Sequence, residues 1–202
     1  MNQARFPAVK TLESFDFTAL PDLPKPEVLA LAQGDFIKRK ENVVCLGNSG
    51  TGKTHIGIAL GVAAIAAGYR VRFVQVMNLA QELLQANSEY RLPKYLKTWQ
   101  KVDLVICDEL GYIELGPGGP LLFQFLAERY ERGSVLVTSN LEFSRWGEVF
   151  GDATLTAALL DRLTHHAHIL LFNGQSYRFK ESQEKQIAAA AAPSLEEKVV
   201  NN

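Results

Sequence analysis

The sequence predicts an α/β fold, a three-layer sandwich built on a five-stranded parallel sheet. Three observations carry that prediction. Short β-prone apolar runs alternate with helical stretches from Asn42 onward, and such alternation implies parallel strands covered on both faces. Leu104-Val105-Ile106-Cys107 is apolar without interruption, as buried parallel strands are, rather than alternating as a half-exposed strand would be. Between the first run and the first long helical stretch lies Gly47-Asn48-Ser49-Gly50-Thr51-Gly52-Lys53-Thr54, which matches the phosphate-loop spacing G-x-x-x-x-G-K-[ST] at every fixed position.

The elements follow in order. Strand 42–46 leads through the loop into a helix over 53–67, which Gly68 stops, and Val71 to Val76 forms the second strand. Two helical pieces, 78–86 and about 93–101, precede the third strand at 104–107. A Gly- and Pro-rich loop at 111–120 and a helix from Leu121 to about Arg132 connect it to a fourth strand, Ser134 to Thr138. His168 to Phe172 is the fifth strand. Residues 1–40 carry Pro7, Pro21, Pro24 and Pro26 and read as an extended arm with one short helix, Pro26 to Lys38, packed on the core. Phe15 and Phe17 anchor that arm, with covering a ligand's base as a second use. Residues 41–180 form the main domain. Residues 181–202, with five alanines before Pro193, read as a loose tail.

Composition narrows the function classes. A net charge of -1 argues against indiscriminate nucleic-acid binding through overall charge, while leaving room for a local basic patch. The longest apolar stretch, Ile56 to Tyr69, is shorter than the ~20 residues of a membrane span. No leader opens the chain, and Cys45 and Cys107 fall inside predicted strands without metal spacing, so the expected compartment is the cytoplasm.

The loop's chemistry follows from its residue types. Glycines let successive N–H groups converge on phosphate oxygens, and the helix beginning near Lys53 adds its positive end. Lys53 is expected on the β- and γ-phosphates of ATP and the Thr54 hydroxyl on Mg²⁺. Asp108-Glu109 ends the third strand at the edge where parallel sheets bind ligands. Asp108 suits the metal, directly or through water, and Glu109 suits a base that polarises an attacking water. Asn140, after the fourth strand, is a candidate sensor of the γ-phosphate, against the plainer use of Asn as a turn residue. Phosphoryl transfer also calls for an arginine, and Arg162, Arg129, Arg132, Arg145 and Arg178 all qualify. Arg91, Lys94, Lys97 and Lys101 form a basic run without an acid between them. A solvated helix face is its plain reading and a phosphate-backbone contact its functional one. Tyr95 and Trp99 interleave with these cations and are expected in the core. His165, His166 and His168 invite a metal, but lack ligand spacing and read as structural, as does His55.

Taken together, Glu41-Asn42-Val43 before the loop, Asp108-Glu109-Leu110-Gly111-Tyr112, Arg129-Tyr130-Glu131-Arg132, Thr138-Ser139-Asn140, Trp146-Gly147, Leu160-Asp161-Arg162-Leu163 with His165-His166, and Gly174-Gln175-Ser176-Tyr177-Arg178 come in one order. That series resembles the IstB family of insertion-sequence helper ATPases, relatives of the DnaC helicase loaders within the AAA+ class of P-loop NTPases. The likeness covers about residues 5–180. It implies a Mg-dependent ATPase that self-assembles into a ring or helical filament on double-stranded DNA and recruits or activates a partner transposase. It further implies that Arg162 acts in trans on a neighbour's nucleotide and that the helices at 78–101 face DNA. Two departures stand out. Family members usually carry a further helical domain ahead of the Phe15-Asp16-Phe17 region, and there is no room for a separate helical lid after residue 180. The nearest rival is a replicative helicase loader, which would bind a helicase and favour single-stranded DNA. A non-hydrolysing nucleotide switch is a rival of another class, against which Glu109 beside Asp108 speaks.

Overall fold

The computed structural model describes residues 2–177, so the predicted tail and Arg178 lie outside the described residues. The five strands are β1 (Asn42–Gly47), β2 (Val71–Gln75), β3 (Leu104–Leu110), β4 (Ser134–Ser139) and β5 (Ala167–Phe172). All pair in parallel, in the spatial order β2-β3-β4-β1-β5. Eight α-helices accompany them among the described residues: α1 (Lys25–Leu31), α2 (Asp35–Lys38), α3 (Lys53–Ala66), α4 (Val76–Ser88), α5 (Leu92–Trp99), α6 (Gly118–Arg129), α7 (Gly147–Phe150) and α8 (Ala153–Thr164). None is long and apolar enough to cross a membrane.

Both faces of the sheet are covered, which explains why β1, β3 and β4 are buried along nearly their whole length. On one face, Val44, Val105, Cys107, Val135 and Val137 pack against α4, α5, α6 and α8. On the other, Val43, Cys45, Ile106 and Leu136 pack against α3 and the arm helices. Helix α3 lies close to the sheet because of its glycines. A Cβ at Gly61 would stand 2.7 Å from Ile106 Cδ1 and 2.8 Å from Phe6 Cζ, so the arm crosses the helix where it has no side chain. Tyr95 and Trp99 pack inward as expected. Trp99 is buried edge-on against Phe125, 5.0 Å between ring centres, and the Tyr95 hydroxyl donates to Glu82.

Four boundaries differ from the sequence expectation. The predicted helix 26–38 is two, α1 and α2, broken at Gly34, whose φ of 82° no helix continues. The predicted helix from Leu121 to Arg132 is displaced toward the N-terminus: α6 starts at Gly118 and ends at Arg129. Helix α4 extends from Val76 to Ser88, beyond the 78–86 expected. Strand β3 continues through Asp108-Glu109 to Leu110 instead of ending at Cys107, although its register against β4 slips between Cys107 and Leu110.

Buried polar groups stitch the starting edge of the sheet. Asn42 donates through Nδ2 to the Leu163 carbonyl (3.0 Å) and accepts from the Val135 N–H (3.0 Å), joining β1, β4 and the end of α8. Arg129 is 4% exposed and donates to the carbonyls of Trp99, Asp103 and Ser134. Burial pushes its pKa down, and its charge is spent on the backbone. Arg129 is thereby removed from the candidates for phosphoryl chemistry.

Glu41, just before β1, receives both arms of Arg39 (2.7 and 2.9 Å), and His168 Nε2 lies 3.0 Å from its Oε2. The Arg39 hydrogen bonds hold the Glu41 carboxyl down at about 2, with His168 contributing further. A depressed carboxylate stabilises the fold above its unfolded-state pKa, and that contribution is lost as pH falls through the folded value. Glu41→Gln is expected to lower the Tm at pH 7 by about 1–3 °C, as for a partly exposed ion pair. The deficit should shrink below pH ~4.3, the ordinary glutamate value, and close near pH 2 in thermal melts across that range.

Candidate active site

The phosphate loop leaves the C-terminal end of β1, which lies between β4 and β5, and runs directly into α3. Two glycines make the path possible. Gly47 has φ 144°, and a Cβ there would lie 2.3 Å from the Phe172 carbonyl of β5. Gly52 has φ 92°, and its Cβ would meet the Phe15 ring at 2.6 Å. Any side chain at either position would displace backbone or ring. Lys53 is buried, and its Nζ donates to the carbonyls of Gly47 (2.7 Å) and Asn48 (2.6 Å). The cation is thus held over the loop itself, and Thr51 Oγ1 closes the turn by donating to the Asn48 carbonyl (2.8 Å).

Opposite the loop, Asp108 is 2% exposed at the end of β3. Thr54 Oγ1 donates to its two oxygens at 3.0 and 3.2 Å. Thr138 Oγ1, from β4, donates to Asp108 Oδ1 at 2.6 Å and accepts the Glu109 N–H at 3.0 Å. A hydroxyl and a carboxylate meeting at the foot of a phosphate loop form the hard oxygen donor set that a small divalent cation takes. Glu109 sits at φ 64°, a conformation uncommon for a residue with a Cβ. The turn frees its carboxylate from the strand's alternation. Glu109 Oε2 accepts from Gln75 Nε2 (3.2 Å), and Gln75 in turn accepts from Asn78 of α4 (3.3 Å).

A cavity of about 710 Å³ spans this edge, lined by Gly50 to His55, Glu109, Tyr112, Thr138, Ser176 and Tyr177, and on its outer side by Lys10, Phe15, Asp16 and Leu20. The arm is fastened there by His55, whose Nε2 lies 2.9 Å from the Thr11 carbonyl and 3.2 Å from Ser14 Oγ. The Phe15 ring packs edge-on against His55 at 5.2 Å. The Tyr177 N–H donates to the Gly50 carbonyl (3.0 Å), and the Tyr112 hydroxyl meets Ser49 Oγ (3.0 Å).

Lys53, Thr54, Asp108 and Glu109 are therefore brought together. Asn140 is at the same edge but is not among the residues lining the cavity. Its Oδ1 is buried beside Gly111 without a hydrogen-bond partner among the described residues. Thr138, Gln75 and Tyr112 were given no role by sequence reasoning, whereas Ser49 was expected as part of the loop. A hydroxyl closing the strand beside an acidic strand end was the only available signal for Thr138. Arg162 stands elsewhere. It is near the end of α8, just before β5 begins, with its guanidinium 5.6 Å over Phe123 and Nη1 3.4 Å from the Ala158 carbonyl. That is the starting edge of the parallel sheet, whereas the phosphate loop occupies the finishing edge. Arg145 is engaged by both oxygens of Glu148. Lys94, Lys97 and Lys101 are exposed, and Arg91 is paired with Glu89. His168 lies between Glu41 and Glu27, and His165 meets the Tyr130 hydroxyl at 3.1 Å. Cys45 and Cys107 are fully buried thiols whose pKa burial pushes up to about 12.

A parallel sheet in this order, with a phosphate loop after its first strand and an acidic pair near the end of the third, is the fold of a P-loop NTPase. The chain belongs to the family described as IstB-like ATP binding protein, whose model matches residues 1–185. It is 46% identical over 184 residues to the ATP-binding protein named for insertion sequence IS21 of Pseudomonas aeruginosa, covering 91% of this chain and 69% of that one. It is 42% identical over 187 residues to the corresponding protein of insertion sequence IS5376 from Geobacillus stearothermophilus, covering 91% and 74%. Among solved structures, a replication initiator DnaA bound to AMPPCP and single-stranded DNA superposes with a TM-score of 0.66 at 20% identity, over 92% of this chain and 57% of that one. The DnaC helicase loader superposes at 0.61 and 18%, over 72% and 86%. These likenesses to solved structures establish the shared fold.

Thr138 joins two strands and two acidic residues through one hydroxyl. Thr138→Val keeps the shape but leaves Asp108 and the Glu109 N–H each short of a partner in a buried setting. It is expected to cost about 1–3 kcal/mol in urea unfolding, and Thr138→Ser to recover most of that loss.

Proposed function

We propose that this chain is a Mg-dependent ATPase that assembles on double-stranded DNA and there recruits or activates a partner transposase. The observation that carries the proposal is the cluster in which Thr54, at the end of the phosphate loop, and Thr138 both bond Asp108, with Thr54, Thr138 and Glu109 lining one cavity beside the loop. ATP binding is the family's named property. The insertion-sequence names of the relatives support transposition as the setting.

The roles follow from the chemistry of each group. The N–H groups of Gly47 to Thr54 and the start of α3 hold the triphosphate, and Lys53 exchanges its loop carbonyls for phosphate oxygens. Phe15 and the rest of the arm cover the base. Thr54 and Asp108 would hold Mg²⁺, which would neutralise the charge that develops on the transferred phosphoryl group. Glu109 orients and deprotonates the attacking water, and Gln75 positions its carboxylate. Asn140 is the proposed γ-phosphate sensor, donating through its amide Nδ2, and its place directly after β4 at the loop's edge of the sheet supports that reading.

Arg162 is assigned to a neighbouring subunit's nucleotide. Its place at the starting edge of the sheet removes it from the cavity of its own chain, which favours a ring or helical filament in which each site has two owners. Arg91, Lys94, Lys97 and Lys101 are assigned to the DNA backbone. The same core would serve a helicase loader, and preference for single- over double-stranded DNA would mark that reading.

Lys53→Ala is expected to weaken ATP binding at least about 100-fold, on the scale of losing a charged hydrogen-bonding partner. Titration with a fluorescent ATP analogue checks this, and retained tight binding would remove the loop from its assigned role. Hydrolysis per subunit should rise with protein concentration and with DNA. Arg162→Ala and Glu109→Gln should each be inactive alone, yet regain phosphate release when mixed, since each supplies what the other lacks. Failure of the mixture to recover, with both variants still assembling, would place the arginine's action within one chain or assign it to another residue.

A further inference from the structure

Tyr90 is set against its own surroundings in two respects. It follows α4, and the bonds from its N–H to the Asn87 carbonyl (3.0 Å) and from the Arg91 N–H to the Ala86 carbonyl (2.8 Å) close the helix end. This closure puts Tyr90 at φ 55°, in the position where helices usually place glycine. Its ring is 97% exposed. A bulky aromatic at a left-handed position is strained, and this one gains no burial in return. Folding alone favours glycine or asparagine here. Arg5, Lys40, Glu109 and Glu131 share this backbone region, and of these Glu109 stands in the candidate active site.

The setting says what the ring could meet. Between residues 89 and 101 there are four cations, Arg91, Lys94, Lys97 and Lys101, and a single acid, Glu89. Leu92, Leu96 and Trp99 turn one face of α5 into the core, leaving Lys94 and Lys97 outward. Tyr90 thus heads a basic ridge. Cations spaced along a helix suit a phosphate backbone, and an exposed aromatic beside them suits the sugars and bases between the phosphates. The two aromatics that the sequence interleaves with these lysines are unavailable, because Trp99 is buried and Tyr95 bonds Glu82.

We infer that Tyr90 is an aromatic DNA contact, seating its ring against sugar and base edges in a groove of the duplex while Lys94 and Lys97 take flanking phosphates. The contact is independent of base sequence. The inference rests on the reading of the basic segment as a DNA-binding element, and the experiment separates the two.

The full chain is titrated with ATP present against a labelled duplex of arbitrary sequence, by fluorescence anisotropy at several salt concentrations. Tyr90→Gly is expected to weaken binding at least about 5-fold, the lower end of what loss of one aromatic–base contact brings. The slope of log affinity against log salt should be unchanged, because no charge is removed. Its Tm should equal the wild-type value or exceed it by up to about 3 °C, since glycine relieves the left-handed strain. Tyr90→Phe should bind within about twofold of wild type, because the ring, rather than the hydroxyl, makes the contact. The Lys94→Ala/Lys97→Ala double variant should lower the salt slope by about 2. Tyr90→Gly binding within twofold of wild type, while the double-lysine variant weakens, would overturn the role of Tyr90 and leave the basic segment as a DNA contact. Absence of duplex binding by the wild-type chain would overturn both.

Discussion

The rest of the structure depends on one buried carboxylate. Asp108 is taken out of water at the end of β3 and is stabilised there by two hydroxyls, Thr54 from the first turn of α3 and Thr138 from β4. A charge at that depth is costly without partners. The two hydroxyls therefore do more than satisfy it. They tie the phosphate loop's helix to two strands that are not its sequence neighbours and fix the spacing across which a nucleotide's phosphates must fit. Thr138 extends the tie to Glu109 by accepting its N–H, within the Cys107–Leu110 stretch where the β3–β4 register slips.

The sheet's direction then separates the chemistry into two edges. Every strand runs the same way, so loop, acidic pair and cavity collect at the finishing edge, while Arg129, Asn42 and Arg162 collect at the starting edge. Arg129 and Asn42 serve the fold by pairing buried carbonyls and N–H groups. Arg162 is only partly buried and rests on Phe123. An arginine near the start of β5 is remote from its own cavity, a position compatible with the trans role proposed for Arg162.

The finishing edge is also connected outward on two sides. Gln75 holds Glu109 and is the residue from which α4 departs, so the carboxylate is linked to the root of the helical segment that carries the basic ridge. On the other side, His55 follows Thr54 directly and fastens the arm through Thr11 and Ser14. A change at the phosphates therefore has mechanical neighbours in both the segment proposed for DNA and the arm proposed for the base.

Local pattern made much of this legible from the residues. The phosphate loop, the five strands and their parallel arrangement, and the acidic pair all announce themselves within windows of a few residues, because turns and buried strands impose their composition locally. Helix limits around Gly34 and Pro120 were less legible, since several nearby residues could start or stop a helix at similar cost. What only the tertiary structure decided is which side chains lose water and whom they meet. Arg129 and Arg162 look alike in the sequence, yet one is consumed by backbone carbonyls and the other is left near the surface. Thr138 and Gln75 gain their roles from strands that are distant in the chain and adjacent in space. Tyr90 and Trp99 are both aromatics in a basic stretch, and packing buried one and left the other in solvent. Periodicity and turn chemistry act along the chain, whereas burial and cross-strand pairing act between parts of it, so the sequence alone determined the cradle and the sheet while the fold chose the partners around them.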